Sequence, residues 1–301
     1  MGKRVLLVDV DPQCNLTSYL IEDSVVDDLL DSSDSSEGKT LWSAVKPVSD
    51  GNGDPKVVAP FEVAAQPNLL LLAGDIQMSS FESDLAQAWG ECFQRKIKGL
   101  RATASISAVV NAVCRQYRVD YVFFDSGPSI GPLNRVVILD CDYVIVPAAC
   151  DLFSVRALKT MGHTLATWVQ DWMTINALAP QGVYLLPGEP KILGYIPQRF
   201  RIYRGQLAAV QESYVARIEK QMFSDVVSVL RGVKSSLAPS SMSQLRLGSV
   251  KDFGTIASLS QSQGVPFEMV EGGNAKQLEE AQKVFRGIAR KILAQTGAVS
   301  Q

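Results

Sequence analysis

Short, unbroken apolar runs separated by longer stretches of helical periodicity dominate this sequence. The runs are Lys3–Val8, Asn68–Leu72, Tyr121–Phe124, Tyr143–Val146, Gly182–Leu186 and Ile192–Tyr195, with Pro266–Val270 as an expected last one. A strand with water on one face alternates apolar and polar side chains. A strand covered on both faces does not, so these runs read as buried strands of a parallel sheet. Between them, Phe81–Ile97, Ser105–Tyr117, Ser154–Leu178, Tyr203–Leu230 and Ala275–Ala294 carry helical patterns. Strand and helix in alternation define an α/β, doubly wound, mostly parallel fold. The 301 residues suit a single domain over 1–301, with a flexible acidic excursion at about 24–53, rich in Asp, Ser and Gly. A second loop-like stretch is Lys234–Ser249, which carries Pro239.

Composition excludes several classes. Cys14, Cys92, Cys114, Cys141 and Cys150 form no CxxC pair, so they read as buried thiols rather than a disulfide framework or zinc site. His163 is the only histidine, which leaves little material for a histidine triad or metal cluster. Met1-Gly2-Lys3-Arg4 precedes only a four-residue apolar stretch before Asp9, unlike a secretory signal. Leu6 breaks the myristoylation pattern, and no apolar run approaches the roughly 20 residues of a membrane span. A cytoplasmic location is expected. Charge is uneven: Asp9 to Asp54 holds eleven acids against two bases, a balance of −9, whereas Arg199 to Lys251 holds nine bases against three acids, a balance of +6.

Two strand ends carry the chemistry. In Val5-Leu6-Leu7-Val8-Asp9-Val10-Asp11-Pro12-Gln13-Cys14-Asn15-Leu16-Thr17, an apolar strand ends in two acids at alternate positions before a proline stops it. Residues two apart on a strand point the same way, so both carboxylates project from the C-terminal end, where open α/β sheets bind ligands. In Asp120-Tyr121-Val122-Phe123-Phe124-Asp125-Ser126-Gly127-Pro128-Ser129, a second apolar strand delivers one Asp at its end, the Walker B pattern of a Mg²⁺-supporting carboxylate.

In this order, the two segments resemble the ParA/MinD group of deviant Walker ATPases, and ParA-type partition ATPases within it. The family reads D-x-D-P-Q-x-N, then D-x-x-P-S, then N-x-x-x-x-x-A-D and a strand ending I-P. Here these are Asp9–Asn15, Asp125–Ser129, and Asn134–Asp142 followed by Val144-Ile145-Val146-Pro147. Val250–Gln263 with Gly264-Val265-Pro266-Phe267 resembles the family's last helix, turn and final strand. The resemblance implies a P-loop NTPase-like domain (AAA-type, CobQ-like), an ATP hydrolase using ATP and Mg²⁺. It implies a catalytic Asp11 that orients the attacking water, Asp125 supporting the metal, and Asp9 beside the phosphates. Pro128 would belong to the second switch, and the turn around Pro197 would lie near the nucleotide base. It also implies a homodimer that binds non-specific DNA and a partition partner protein that stimulates hydrolysis. Arg199, Arg201 and Arg204 head the basic region that would meet DNA phosphates. The terminal helix, with Lys283, Phe285 and Arg286, could lie on a membrane surface, but in the family it packs on the sheet.

The sequence departs from the family in three ways. Gly127 replaces a common proline, which would loosen that switch, and Asp151 stands where many members have Glu. The third is an absence: the strand, Gly-rich loop ending Gly-Lys-Thr/Ser, and helix that open the family precede the point where this chain starts. Gly38-Lys39-Thr40 does not substitute for it, because Ser33 occupies the first glycine position and no strand leads into it; Thr40-Leu41 reads as a helix start. A P-loop contributes backbone donors and a lysine, and losing four such bonds costs on the order of 6 kcal/mol, about ten-thousand-fold in affinity. The chain as it stands is therefore expected to be inactive as an ATPase. Loss of roughly 30–40 residues to a misplaced start is the favoured explanation. A decayed gene, and a non-catalytic pseudo-ATPase acting as a dimerisation or DNA-binding regulator, are the alternatives.

Overall fold

The computed structural model describes residues 2–63, 66–200, 202–203, 206–207 and 209–297. By its internal contacts the chain divides into two compact units, one formed by residues 1–140 with 172–188 and the other by residues 141–171 with 189–301.

The first unit is built on β1 (Val5–Asp9), whose Leu6 and Val8 are fully buried. After it come α1 (Asn15–Leu20), α2 (Asp23–Asp31), α3 (Leu41–Ser49), β2 (Phe61–Glu62), β3 (Leu69–Leu72), α4 (Met78–Phe93), α5 (Ile97–Tyr117), β4 (Tyr121–Asp125) and α6 (Pro132–Asp140). The sheet order is β2-β3-β1-β4. β1 runs parallel to both neighbours, with Leu6 opposite Leu70 on one side and Val122 on the other. Only β2 is antiparallel. β4 ends the sheet, so its ladder is one-sided and Phe123 is 39% exposed.

The second unit contains β5 (Tyr143–Ala149), most of α7 (Leu152–Leu178), β6 (Lys191–Phe200), the short hairpin β7 (Ile202–Tyr203) and β8 (Gln206–Leu207), and α8 (Ala209–Gln221). It continues with α9 (Ser228–Val233), β9 (Val250–Lys251), α10 (Thr255–Gln263) and α11 (Ala275–Gly297). Its main sheet is β5-β6-β9, all parallel, and β5 is an end strand there. A π-helical turn, Met222–Val227, joins α8 to α9. α7 passes so close to this turn at Gly162 that any side chain there would strike the Asp225 carbonyl. The parallel α/β class is as expected, but among the described residues the strands form three sheets, the third being the β7–β8 pair, rather than one.

Other departures have local causes. The excursion at 24–53 contributes core: Leu41, Trp42, Ala44 and Val45 are buried on α3, and Val26 and Leu29 on α2. Thr40 caps α3 as expected, in a reciprocal capping box with Ser43. Gly182–Leu186 makes no strand. It lies between Pro180 and Pro187, and its polar groups are met by side chains: the Trp172 indole donates to the Leu186 carbonyl at 3.0 Å, and the Tyr184 hydroxyl meets Ser107 at 2.7 Å. Pro266–Val270 becomes a 3₁₀ turn, Phe267–Met269. There Phe267 packs edge-on between Phe253 and Phe285, and Pro266 has no N–H for a ladder. The pattern over 203–230 starts with a strand at Tyr203 and passes through the π-helical turn. α4 stops at Phe93, before Ile97, because Arg95 adopts a left-handed conformation.

Thr40 also donates to buried Asp75 at 2.7 Å, which ties α3 to the segment after β3. Thr40→Ala removes the cap and leaves that carboxylate oxygen without its donor. It should lower unfolding free energy by about 2–3 kcal/mol in urea titrations. A loss under about 0.5 kcal/mol would refute the coupling.

Candidate functional site

The strand-end acids converge as the sequence suggests. Asp9 and Asp125 are register partners at the C-terminal ends of β1 and β4, and the Val10 amide donates to the Asp125 carbonyl at 2.9 Å. Asp9 is fully buried. Its Oδ2 accepts from the Thr17 amide at 2.8 Å and the Thr17 hydroxyl at 2.7 Å. That hydroxyl in turn accepts from the Gly74 amide at 2.8 Å, so one carboxylate joins β1, α1 and the segment after β3. Oδ1 of Asp9 has no partner among the described residues. Gly74 has no room for a side chain, since a Cβ there would lie 3.0 Å from Asp9 Oδ2 and 3.2 Å from the Cys14 sulfur.

The turn after β1 is shaped by Asp11. Its carboxylate accepts from the Gln13 amide at 3.0 Å, and its carbonyl accepts from the Cys14 amide at 2.9 Å. Cys14 is left-handed, at φ 54°, a conformation that favours glycine. Burial pushes its thiol up to about 12, with the charge of Asp9 adding to the shift.

Asp125 opens the loop 126–131. Gly127 lies against Asp11, close enough that a Cβ would sit 3.2 Å from its carboxylate. Asn134 of α6 is buried, and its amide donates to the carbonyls of Gly127 at 2.7 Å and Ser129 at 2.6 Å. Pro128 sits exposed between those two held carbonyls. The expected loosening at Gly127 is therefore corrected: its carbonyl is held from α6, and its lack of a side chain lets the loop approach Asp11.

Three carboxylates of like charge act on one another here. Burial raises Asp9 above the usual carboxylate range, against the lowering by its Thr17 bonds, and the charges of Asp125 and Asp11 raise it further. Asp125 is raised by desolvation of its carboxyl and then by Asp11. Among the described residues no group of three or more acids, histidines or cysteines is arranged to hold a metal ion by itself.

The other expected positions fall elsewhere. Gly38-Lys39-Thr40 is no phosphate cradle, because Gly38 packs on Ser43 and the Thr40 hydroxyl is committed to Asp75 and its own helix. Pro197 lies within β6, opposite Ala148 in the second unit, and not in a turn. Asp151 caps α7, accepting from the Ser154 amide at 2.7 Å. Arg201 and Arg204 lie outside the described residues, as does the side chain of Arg199, whose backbone belongs to β6. Several later bases are committed: Arg231 bonds the carbonyls of Ser235 and Ala238, Lys234 pairs with Glu189, and Lys251 pairs with Glu280. Thr17, Gly74 and the loop contacts of Asn134 carry no role in the sequence reading. Thr17 and Asn134 stand in the quoted segments; the Thr17 link to Gly74 is distant in sequence, whereas Asn134 reaches back only to Gly127 and Ser129.

A parallel α/β unit with acids gathered at the strand ends is the arrangement of a nucleotide-handling protein of the P-loop NTPase class. Comparison with known proteins gives the family. A family model described as an AAA domain, AAA_31, matches residues 1–178, and the chain belongs to that family. Soj of Bacillus subtilis, a sporulation initiation inhibitor protein, is 28% identical over 171 residues, which is 55% of this chain and 54% of Soj. The chain spans about half the length of the curated relatives it matches. Among solved structures, a Corynebacterium diphtheriae protein aligns with a TM-score of 0.71 at 22% identity, over 98% of this chain and 89% of that one. Apo McdA of Cyanothece aligns at 0.57 and 18% identity, over 97% and 88%. A Borrelia burgdorferi B31 protein described as a plasmid partition protein, bound to AMPPNP, aligns at 0.54 and 17%, over 98% and 88%. The fold is that of the ParA-type partition ATPases.

The raised acids give a pH dependence. An acid whose folded pKa lies above its unfolded value destabilises the fold once ionised, so stability falls as pH rises between the two values and stays low above them. Asp125→Asn should therefore raise the urea midpoint at pH 7, and the gain should shrink as pH falls and vanish near pH 3, below the ordinary aspartate value of about 3.9. A gain equal at both pH values would contradict this.

Proposed function

We propose that this chain is the body of a ParA-type ATPase of plasmid or chromosome partition. The observation that carries the reading is the register of Asp9 with Asp125 on adjacent parallel strands, with Asp11 beside the loop that follows Asp125. In this reading Asp125 holds Mg²⁺, Asp11 orients the attacking water, and Asp9 fixes the turn that carries Asp11. Pro128 belongs to the switch loop that meets nucleotide. Asp125 and Asp11 both raise Asp9, and Asp11 raises Asp125, so added positive charge here would relieve them. ATP as the nucleotide is supported by the Cyanothece McdA complex with ATP, which aligns with a TM-score of 0.57.

Phosphate donors are the part this 301-residue sequence does not supply. The working form is a cytoplasmic dimer on non-specific DNA, released when a partner protein stimulates hydrolysis. Likeness to Soj and to the Borrelia plasmid partition protein supports this.

The 301-residue chain should show no Mg²⁺-dependent ATP turnover above background. With an upstream strand, Lys-Gly-Gly-x-Gly-Lys-Thr loop and helix joined on, Asp11→Ala should abolish hydrolysis and leave ATP binding largely intact. Asp125→Ala should weaken Mg·ATP binding itself. Equal loss of binding in both variants would show the roles wrongly assigned.

DNA binding is a separate claim, and it rests on the +6 balance of Arg199–Lys251. The pairing of Lys234 and Lys251 narrows it to Arg199, Arg201 and Arg204, together with exposed Arg217 and Lys220. Changing Arg199, Arg201 and Arg204 to alanine in the joined protein should weaken all DNA sequences alike. It should also flatten the slope of log K against log salt, by roughly 0.9 for each phosphate that is no longer neutralised. An unchanged slope would place DNA binding elsewhere.

A further inference from the structure

We propose that Asn134 is the positioning residue of the 126–131 loop, acting as a two-pronged latch that fixes Gly127 against Asp11. The carboxamide carries two hydrogens on one nitrogen, and here each goes to a different carbonyl, Gly127 at 2.7 Å and Ser129 at 2.6 Å. The amide orientation is forced, since the flipped group would set its own oxygen against two carbonyl oxygens. Asn134 is 5% exposed, so water does not compete for these bonds.

The bonded carbonyls flank Pro128, which has no N–H of its own to tie the loop down. The latch therefore supplies from α6 what the backbone cannot supply locally. Asn134 sits in the first turn of that nine-residue helix, so the latch ties the loop to a regular element. At the far side, Gly127 abuts the Asp11 carboxylate, and that carboxylate holds the Gln13 amide. A continuous chain runs from α6 through Asn134, Gly127 and Asp11 to the turn after β1.

The consequence for chemistry rests on the reading proposed above: the latch holds the loop after Asp125 against an Asp11 placed by its own turn, without touching nucleotide. The test itself needs no nucleotide, so its outcome is independent of whether the chain belongs to an ATP hydrolase.

Asn134→Asp keeps the shape and places an acceptor against two acceptors, while Asn134→Ala removes both bonds. In either variant the carbonyl ¹³C signals of Gly127 and Ser129 should shift, and the ¹⁵N order parameters of the loop 126–131 should fall from about 0.85 to below about 0.6, with α5 and β1 unchanged. In the ¹H–¹⁵N spectrum the Gln13 signal should shift, because the carboxylate that holds it loses its neighbour's support. In the wild-type protein, with no variant needed, the Asn134 side-chain NH₂ protons should be protected and should show couplings across the hydrogen bonds to the Gly127 and Ser129 carbonyls. Free exchange of those protons would overturn the proposal. So would an unmoved Gln13 signal, or loop order parameters that fall only in step with the whole first unit.

Discussion

A single buried carboxylate organises the first unit. Asp9 sits at the end of the central strand, fully out of water, and its cost of burial is offset by two bonds from Thr17. Because the Thr17 hydroxyl also accepts the Gly74 amide, the carboxylate fixes the start of α1 and the exit of β3 together. The position of Asp11 follows, since the turn between Asp9 and Thr17 has fixed ends and carries a left-handed Cys14 in its middle. The loop after Asp125 is in turn placed by its packing against Asp11. Placement of the acid cluster thus propagates outward from one interaction in the core.

Much of this was legible in the sequence. Continuous apolar runs marked β1, β3, β4, β5 and β6, because strands covered on both faces admit few polar side chains. The order D-x-D-P-Q-x-N then D-x-x-P-S located the strand ends that carry Asp9, Asp11 and Asp125. Thr40 announced the start of α3. What stayed hidden depends on partners that no local pattern marks. Nothing near Thr17 signals that Gly74 will donate to it, and nothing near Asn134 signals the carbonyls it will hold. The buried face of α3 was obscured because Leu41 and Trp42 follow a run of Asp and Ser that reads as loop. Gly182–Leu186 and Pro266–Val270 have strand-like composition, but prolines flank the first and open the second, the Leu186 carbonyl is met by the Trp172 indole, and the second closes on itself in a 3₁₀ turn.

The two ends of the molecule's charge differ in kind. Acids of the opening segment are partly functional: Asp9 and Asp11 shape the site, whereas Asp34 is paired with Lys46 and the Trp42 indole. Bases of the 199–251 region are partly structural, as Arg231 shows by binding two carbonyls of the loop that follows it. A formal balance counts both kinds alike, so charge per segment is a weaker guide to partners than charge left uncommitted in the fold.

The bare flank of β4 has a consequence for how copies of this chain meet. Two identical edges related by a two-fold axis can join only antiparallel. β4 is otherwise in a parallel ladder, so self-pairing would impose a hydrogen-bond rhythm opposite to the one its other side keeps. Such a pair would bring together the two copies of Phe123, the exposed aromatic of this strand, and so bury apolar surface as it formed. An end strand held in a parallel ladder thus keeps a hydrogen-bond rhythm that a two-fold copy of the same edge cannot continue.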